Sequence, residues 1–87
     1  MPTLTFTRHL QHLLPSGPLT VPGDTPRAAL EQVLRDYPLL RSYLLDEHGG
    51  LRKHVALFID GELRRDGMDQ PVAATTKIDF MQALSGG

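Results

Sequence analysis

An α+β domain is what this sequence predicts: a mixed sheet of four or five strands with one main helix packed across one face. Three observations lead there. Several short stretches alternate apolar and polar residues with the period of two that a half-buried strand needs. One longer stretch repeats apolar residues at helical spacing. Proline, glycine and Asp-Gly pairs punctuate the intervals.

The first strand is "TLTFT", Thr3 to Thr7, with Leu4 and Phe6 on one face and the threonines on the other. Pro15, Gly17 and Pro18 then signal a turn or loop. "LTVPG" is a short second strand with Leu19 and Val21 on one face, so the start of the chain reads as a hairpin. The helix lies in "GDTPRAALEQVLRDYP". Thr25 or Asp24 caps it, and Pro26 suits the first helical position. Ala29, Leu30, Val33, Leu34 and Tyr37 make one apolar face; Arg27, Glu31, Gln32, Arg35 and Asp36 cover the other. Pro38 ends or breaks the helix, and "PLLRSYLLDEHGG" predicts a second short helical segment closed by Gly49-Gly50.

"LRKHVALFIDGEL" reads as a strand, with Val55, Leu57 and Ile59 on one side and His54, Ala56 and Phe58 on the other. Asp60-Gly61 signals a tight turn. "RRDGMDQPVAATT" predicts loops with a short strand or 3-10 turn. The last strand is "KIDFMQAL": Ile78, Phe80 and Gln82 share one face, Asp79, Met81 and Ala83 the other. The order β-β-α-(α)-β-(β)-β lets the first and last strands meet in the middle of the sheet, the arrangement of a β-grasp, or ubiquitin-like, roll.

Composition narrows the function. At 87 residues the chain is one domain with a thin core. The formal net charge of -1 supplies no basic excess for nucleic acid. Cysteine is absent, which removes disulfides, thiolate metal sites and a thiol nucleophile together. No stretch approaches the roughly 18 apolar residues of a membrane span, and no apolar leader opens the chain. The expected location is the cytoplasm. His9 and His12 stand three apart without a third ligand and read as solvated, as do His48 and His54. Asp60 and Asp79 read as turn and surface residues rather than an acid–base pair.

"HVALFIDGEL" followed by "KIDFMQALSGG" resembles the MoaD/ThiS family of ubiquitin-like sulfur carriers. Those proteins end in a strand of type acid-x-Val-x-φ-φ-x-Ala-φ-x-Gly-Gly, where φ is apolar. Here Ile78 stands at the Val, Phe80 and Met81 at the apolar pair, Ala83 and Leu84 at Ala-φ, and Gly86-Gly87 at the end. The chain departs from the family pattern at Thr75, Thr76 and Lys77, where Gly-Asp-Glu is frequent, and at Gln82, where Pro is frequent.

The resemblance implies a β-grasp domain over residues 1–82 and a flexible tail over residues 83–87. It implies a carrier protein, not an enzyme, that is free of metal and cofactor and monomeric when unbound. Its Gly87 carboxylate is adenylated with ATP by an enzyme like the ubiquitin-activating proteins, of MoeB/ThiF type. A sulfur donor then leaves a thiocarboxylate, which a synthase of a molybdopterin-, cysteine- or siderophore-type pathway consumes. The glycine at 86 suits passage through a narrow channel, because it has no Cβ. The family's docking surface is an apolar patch on the open face of the sheet. That expectation places Phe58, Leu63 and Met81, with Leu84 and Ser85 in the tail, against the partner; the alternative for Phe58 and Met81 is a satellite of the core beneath a loop. Two rival functions share the fold: a protein modifier conjugated through Gly87, and a binding module with an inert tail.

Overall fold

The computed structural model describes residues 1–14 and 17–82. Strand β1, Thr3–Phe6, alternates as its pattern demands, with Leu4 and Phe6 buried and the threonines half-buried. Strand β2, Leu19–Thr20, pairs antiparallel with it. Between them the sequence suggests only a loop, but Arg8–Leu13 forms a 3-10 helix. Its purpose is visible in Leu10, which is only 2% exposed and closes one end of the core.

Helix α1, Pro26–Asp36, is capped by Thr25, whose Oγ1 accepts the Ala28 N–H at 3.1 Å. This selects Thr25 over Asp24 as the cap and leaves Pro26 in the first turn, where its missing N–H is harmless. Pro26, Ala29, Leu30, Val33 and Leu34 form its buried face. The chain reaches this helix through Gly23, where a Cβ would stand 2.5 Å from the Ala29 backbone nitrogen. A glycine is therefore required for the approach. Pro38 breaks the helix into a 3-10 turn, Pro38–Leu40, which runs into the short helix α2, Arg41–Leu44. Leu40, Leu44 and Leu45 from this stretch enter the core.

Strand β3 covers Val55–Ile59 and β4 Glu62–Leu63. The sequence places the start of β3 at Leu51, but Leu51 makes only an isolated bridge to Leu45. A turn closed by Val55 N–H donating to Arg52 O precedes the strand. Asp60 and Gly61 take φ values of 50° and 84°, the left-handed geometry of a two-residue hairpin turn. The loop that follows contains a 3-10 turn, Gly67–Asp69, which buries Met68. Strand β5, Lys77–Gln82, completes a five-stranded sheet of order β2-β1-β5-β3-β4. It runs parallel to β1 and antiparallel to β3.

The last strand is thus the central one, hydrogen-bonded on both sides. The core lies between the sheet and the helices, and contains Leu4, Phe6, Leu57, Ile59, Ile78 and Phe80 from the strands. This is an α+β roll with a mixed sheet and one main helix across one face, as its periodicities predict.

Candidate functional site

Period two gives the sheet two unlike faces. Ile78 and Phe80 turn inward to the core; Lys77, Asp79 and Met81 turn outward. Register then decides which outward residues meet. Met81 stands opposite Ala56 of β3. Phe58 stands opposite Asp79 on one side and Leu63 of β4 on the other. Ala56, Phe58, Leu63 and Met81 therefore share one apolar patch. Phe58 and Met81 are half-buried among their neighbours, and Leu63 is 49% exposed.

The other half of the open face is polar. Thr3 lies between Lys77 and Thr20, and Thr5 lies opposite Asp79. The Thr5 hydroxyl donates to an Asp79 carboxylate oxygen. Asp79 thereby marks the seam between the two halves, in contact with Thr5 across one ladder and Phe58 across the other. An apolar patch with a polar border has the usual layout of a docking surface.

Two structural details hold the patch in place. The Asp60 carboxylate accepts the Lys77 N–H at 2.9 Å, and the Asp60 N–H donates to Lys77 O at 2.8 Å. The β3–β4 turn is thus tied to the start of β5, which keeps Phe58 and Leu63 in register with Met81. Thr76 organises the turn before β5: its Oγ1 accepts the Ala73 N–H at 2.9 Å, and its N–H donates to Ala73 O. This buried hydroxyl gives Thr75-Thr76-Lys77 a turn chemistry of its own. Gln82 ends the last strand on an exposed position.

Leu84, Ser85, Gly86 and Gly87 lie outside the described residues, as does Ala83. Strand β5, the last described element, ends at Gln82, one residue past Met81 and so at the margin of the apolar patch.

Electrostatics elsewhere serve the scaffold. Arg27, which the helical pattern places on a solvated face, donates from Nε to Asp69 at 2.8 Å and from a terminal nitrogen to Gly49 O at 2.8 Å. It joins α1 to two loops. The Asp69 carboxyl is held below its ordinary value by the Arg27 hydrogen bond, and the Arg27 guanidinium is raised by the same contact. Asp46 closes the Gly49-Gly50 turn by accepting the N–H groups of His48 and Gly50. Those donors, Gly50 first and His48 second, hold its carboxyl down as well.

A pH dependence follows from these directions. Depressed folded values contribute stability that is present above the unfolded carboxyl value, about pH 4, and is lost as pH falls through the folded values. The midpoint of urea unfolding should therefore hold near neutral pH and drop below about pH 4. Asp46→Ala should be less stable at neutral pH and show a shallower acid drop, as checked by urea titrations at each pH.

Among the described residues no group of three or more His, Cys, Asp or Glu is placed to hold a metal ion. His9 and His12 sit exposed on the Arg8–Leu13 helix. His9 and His54, far apart in sequence, instead border one cleft beside the end of β5, together with Tyr43. No pattern in the sequence points to this grouping, because three separate segments build it. Among the described residues no helix is long and apolar enough to cross a membrane.

The strand order, the parallel pairing of the first and last strands and the main helix across one face define a β-grasp, or ubiquitin-like, fold. Among solved structures the chain is similar to CysO in the Amycolatopsis orientalis BexX/CysO complex, with 17% identity over the full length of both chains and a TM-score of 0.86. It is similar also to Mycobacterium tuberculosis CysO, an antigen, with 19% identity, 97% of this chain and 100% of that one covered, and a TM-score of 0.85. The small archaeal modifier protein 1 of H. volcanii matches at 21% identity, covering 95% of this chain and 97% of that one, with a TM-score of 0.77. At these identities the likeness is one of fold. No protein-family model matches the chain, and none of the curated proteins does.

Proposed function

We propose that this chain is a sulfur carrier whose Gly87 carboxylate is the working group. One observation carries the reading: the central strand ends beside an uncovered apolar patch and is followed directly by Ala83-Leu84-Ser85-Gly86-Gly87. A partner that docks on Ala56, Phe58, Leu63 and Met81 stands beside Gln82, the residue those five follow in sequence. Extended, those five residues reach on the order of 17 Å. In the first step a Gly87 carboxylate oxygen attacks the α-phosphorus of ATP in an adenylating enzyme of MoeB/ThiF type, and pyrophosphate leaves. In the second a sulfide-level nucleophile attacks the acyl carbon and AMP leaves, giving the thiocarboxylate. The chain supplies the acyl group and the address; the enzyme supplies the chemistry. A synthase of a cofactor or metabolite pathway in the cytoplasm would then take the sulfur.

The test is incubation with adenylating enzymes of this type, ATP and a sulfur source, followed by intact mass. The expected product carries one sulfur in place of one oxygen. A second reading is favoured by the name of one similar structure, a small archaeal modifier protein: conjugation of Gly87 to lysine. High-mass conjugates in cell extract, in place of the thiocarboxylate, would establish it.

The patch has its own prediction. Met81→Asp places a charge among apolar neighbours on the open face and should weaken docking on the adenylating enzyme at least roughly tenfold, about 1.4 kcal/mol. The unfolding midpoint should move little, since Met81 faces away from the core. Calorimetric titration and urea unfolding check the two halves; a collapsed fold would put Met81 inside.

A further inference from the structure

The cleft beside the end of β5 has a volume of about 140 Å³. Leu10, Leu44 and Phe80 form its floor, none more than 2% exposed. His9, Tyr43 and His54 stand exposed at its rim. Met81 lines one wall and also belongs to the apolar patch, so the two surfaces share a border.

Size and charge limit what the cleft can take. An apolar cavity of about 150 Å³ accepts benzene, so this one holds a single aromatic ring or branched aliphatic side chain. No carboxylate lines it among the described residues. Beyond His54 the surface continues into a shallow depression bordered by Arg52 and Lys53. Asp46 is there too, its charge held by the backbone N–H groups of His48 and Gly50, and it offsets one of the two cations. The rim thus offers imidazole and phenol donors with a net positive charge behind them, Arg52 and Lys53 against Asp46, and the floor offers only hydrocarbon.

We propose that this cleft receives an apolar anchor side chain flanked by carboxylates, presented by the enzyme that takes the C-terminus. The identity of the enzyme rests on the carrier reading; the chemistry of the anchor rests on the cleft. The apolar patch alone gives a sliding contact, whereas a side chain seated beside the root of the tail fixes the rotation of one protein on the other. Complementary charge around the anchor selects the partner.

The test uses the full chain and blocked tripeptides, Glu-Phe-Glu and Lys-Phe-Lys, followed by amide chemical shifts. The acidic peptide should shift Leu10, Tyr43, His54 and Val55 saturably and bind roughly fivefold more tightly than the basic one. His54→Glu should cancel that preference, and Tyr43→Ala should weaken both peptides; both positions are exposed, so the fold survives. With the adenylating enzyme, His54→Glu should raise the KM for the chain about fivefold, while Arg35→Glu on the exposed side of α1 leaves it unchanged. Equal binding of the two peptides, shifts centred on Ala56 and Phe58, or an unchanged KM for His54→Glu would overturn the proposal. The peptide titration needs no activation step. An inert Gly87 with selective peptide binding would sink the carrier reading alone, and sulfur transfer without peptide selectivity would sink the anchor alone.

Discussion

Deleting Gly87 is expected to abolish ATP–pyrophosphate exchange by the adenylating enzyme while leaving the fold intact. The deletion does not remove a carboxylate; it moves one. Gly86 becomes the terminus, and the reacting oxygen falls short by one residue, about 3.5 Å. Attack at phosphorus requires approach to within about 3–3.5 Å along a fixed line, and a misplacement of about 1 Å already costs on the order of a hundredfold. A shortfall of a whole residue should therefore reduce exchange below detection. Adding one alanine after Gly87 should do the same for a second reason, since a Cβ then enters the space that glycine leaves empty. Both variants should unfold in urea at the wild-type midpoint, because among the described residues Phe80 is the last member of the core. Retained exchange in either variant would mean that the chain end is not the reagent, and would favour a binding module with an inert tail.

The sheet and its main helix are legible in the sequence because each carries a period the solvent boundary imposes. In β5, Ile78 and Phe80 alternate with Asp79 and Met81, and the same alternation that identifies the strand assigns its faces. The grouping of Phe58, Leu63 and Met81 is legible for this reason, once the Asp60-Gly61 turn sets the register of β3 and β4. The Arg8–Leu13 helix is hidden because it is short and mostly polar, with one buried leucine, and because prolines and a glycine follow closely. The start of β3 is misleading because Leu51 stands in phase with Val55, Leu57 and Ile59, although Lys53 interrupts the series and Leu51 does not continue the ladder. The Arg27–Asp69 contact joins residues 42 apart, and no local pattern reports such a pair. The cleft rim is out of reach in the same way: His9, Tyr43 and His54 belong to three segments that only the fold brings together.

Phe80→Ala is expected to cost about 3–5 kcal/mol, the upper range for truncating a core side chain. Phe80 is fully buried on the central strand and stacks on Phe6, with ring centroids 5.4 Å apart and planes 13° apart. Its removal leaves a cavity between β1, β3 and the Arg8–Leu13 helix and deprives Phe6 of an aromatic partner worth a further ~1 kcal/mol. Marginal stability for a chain of this size is roughly 4–13 kcal/mol, so the loss is a large share of the whole. Urea unfolding should show the midpoint falling steeply. Phe58→Ala supplies the contrast. The same side chain is removed from the open face of β3, and the cost should be less than half as large because Phe58 is already partly in water. The two substitutions should also separate in function. Phe80→Ala should reduce activation chiefly through the unfolded fraction, with a further loss from the floor it removes from the cleft, whereas Phe58→Ala should weaken docking in a chain that stays folded. Equal destabilisation by both would mean that the open face is covered, and the docking surface would then have to lie elsewhere.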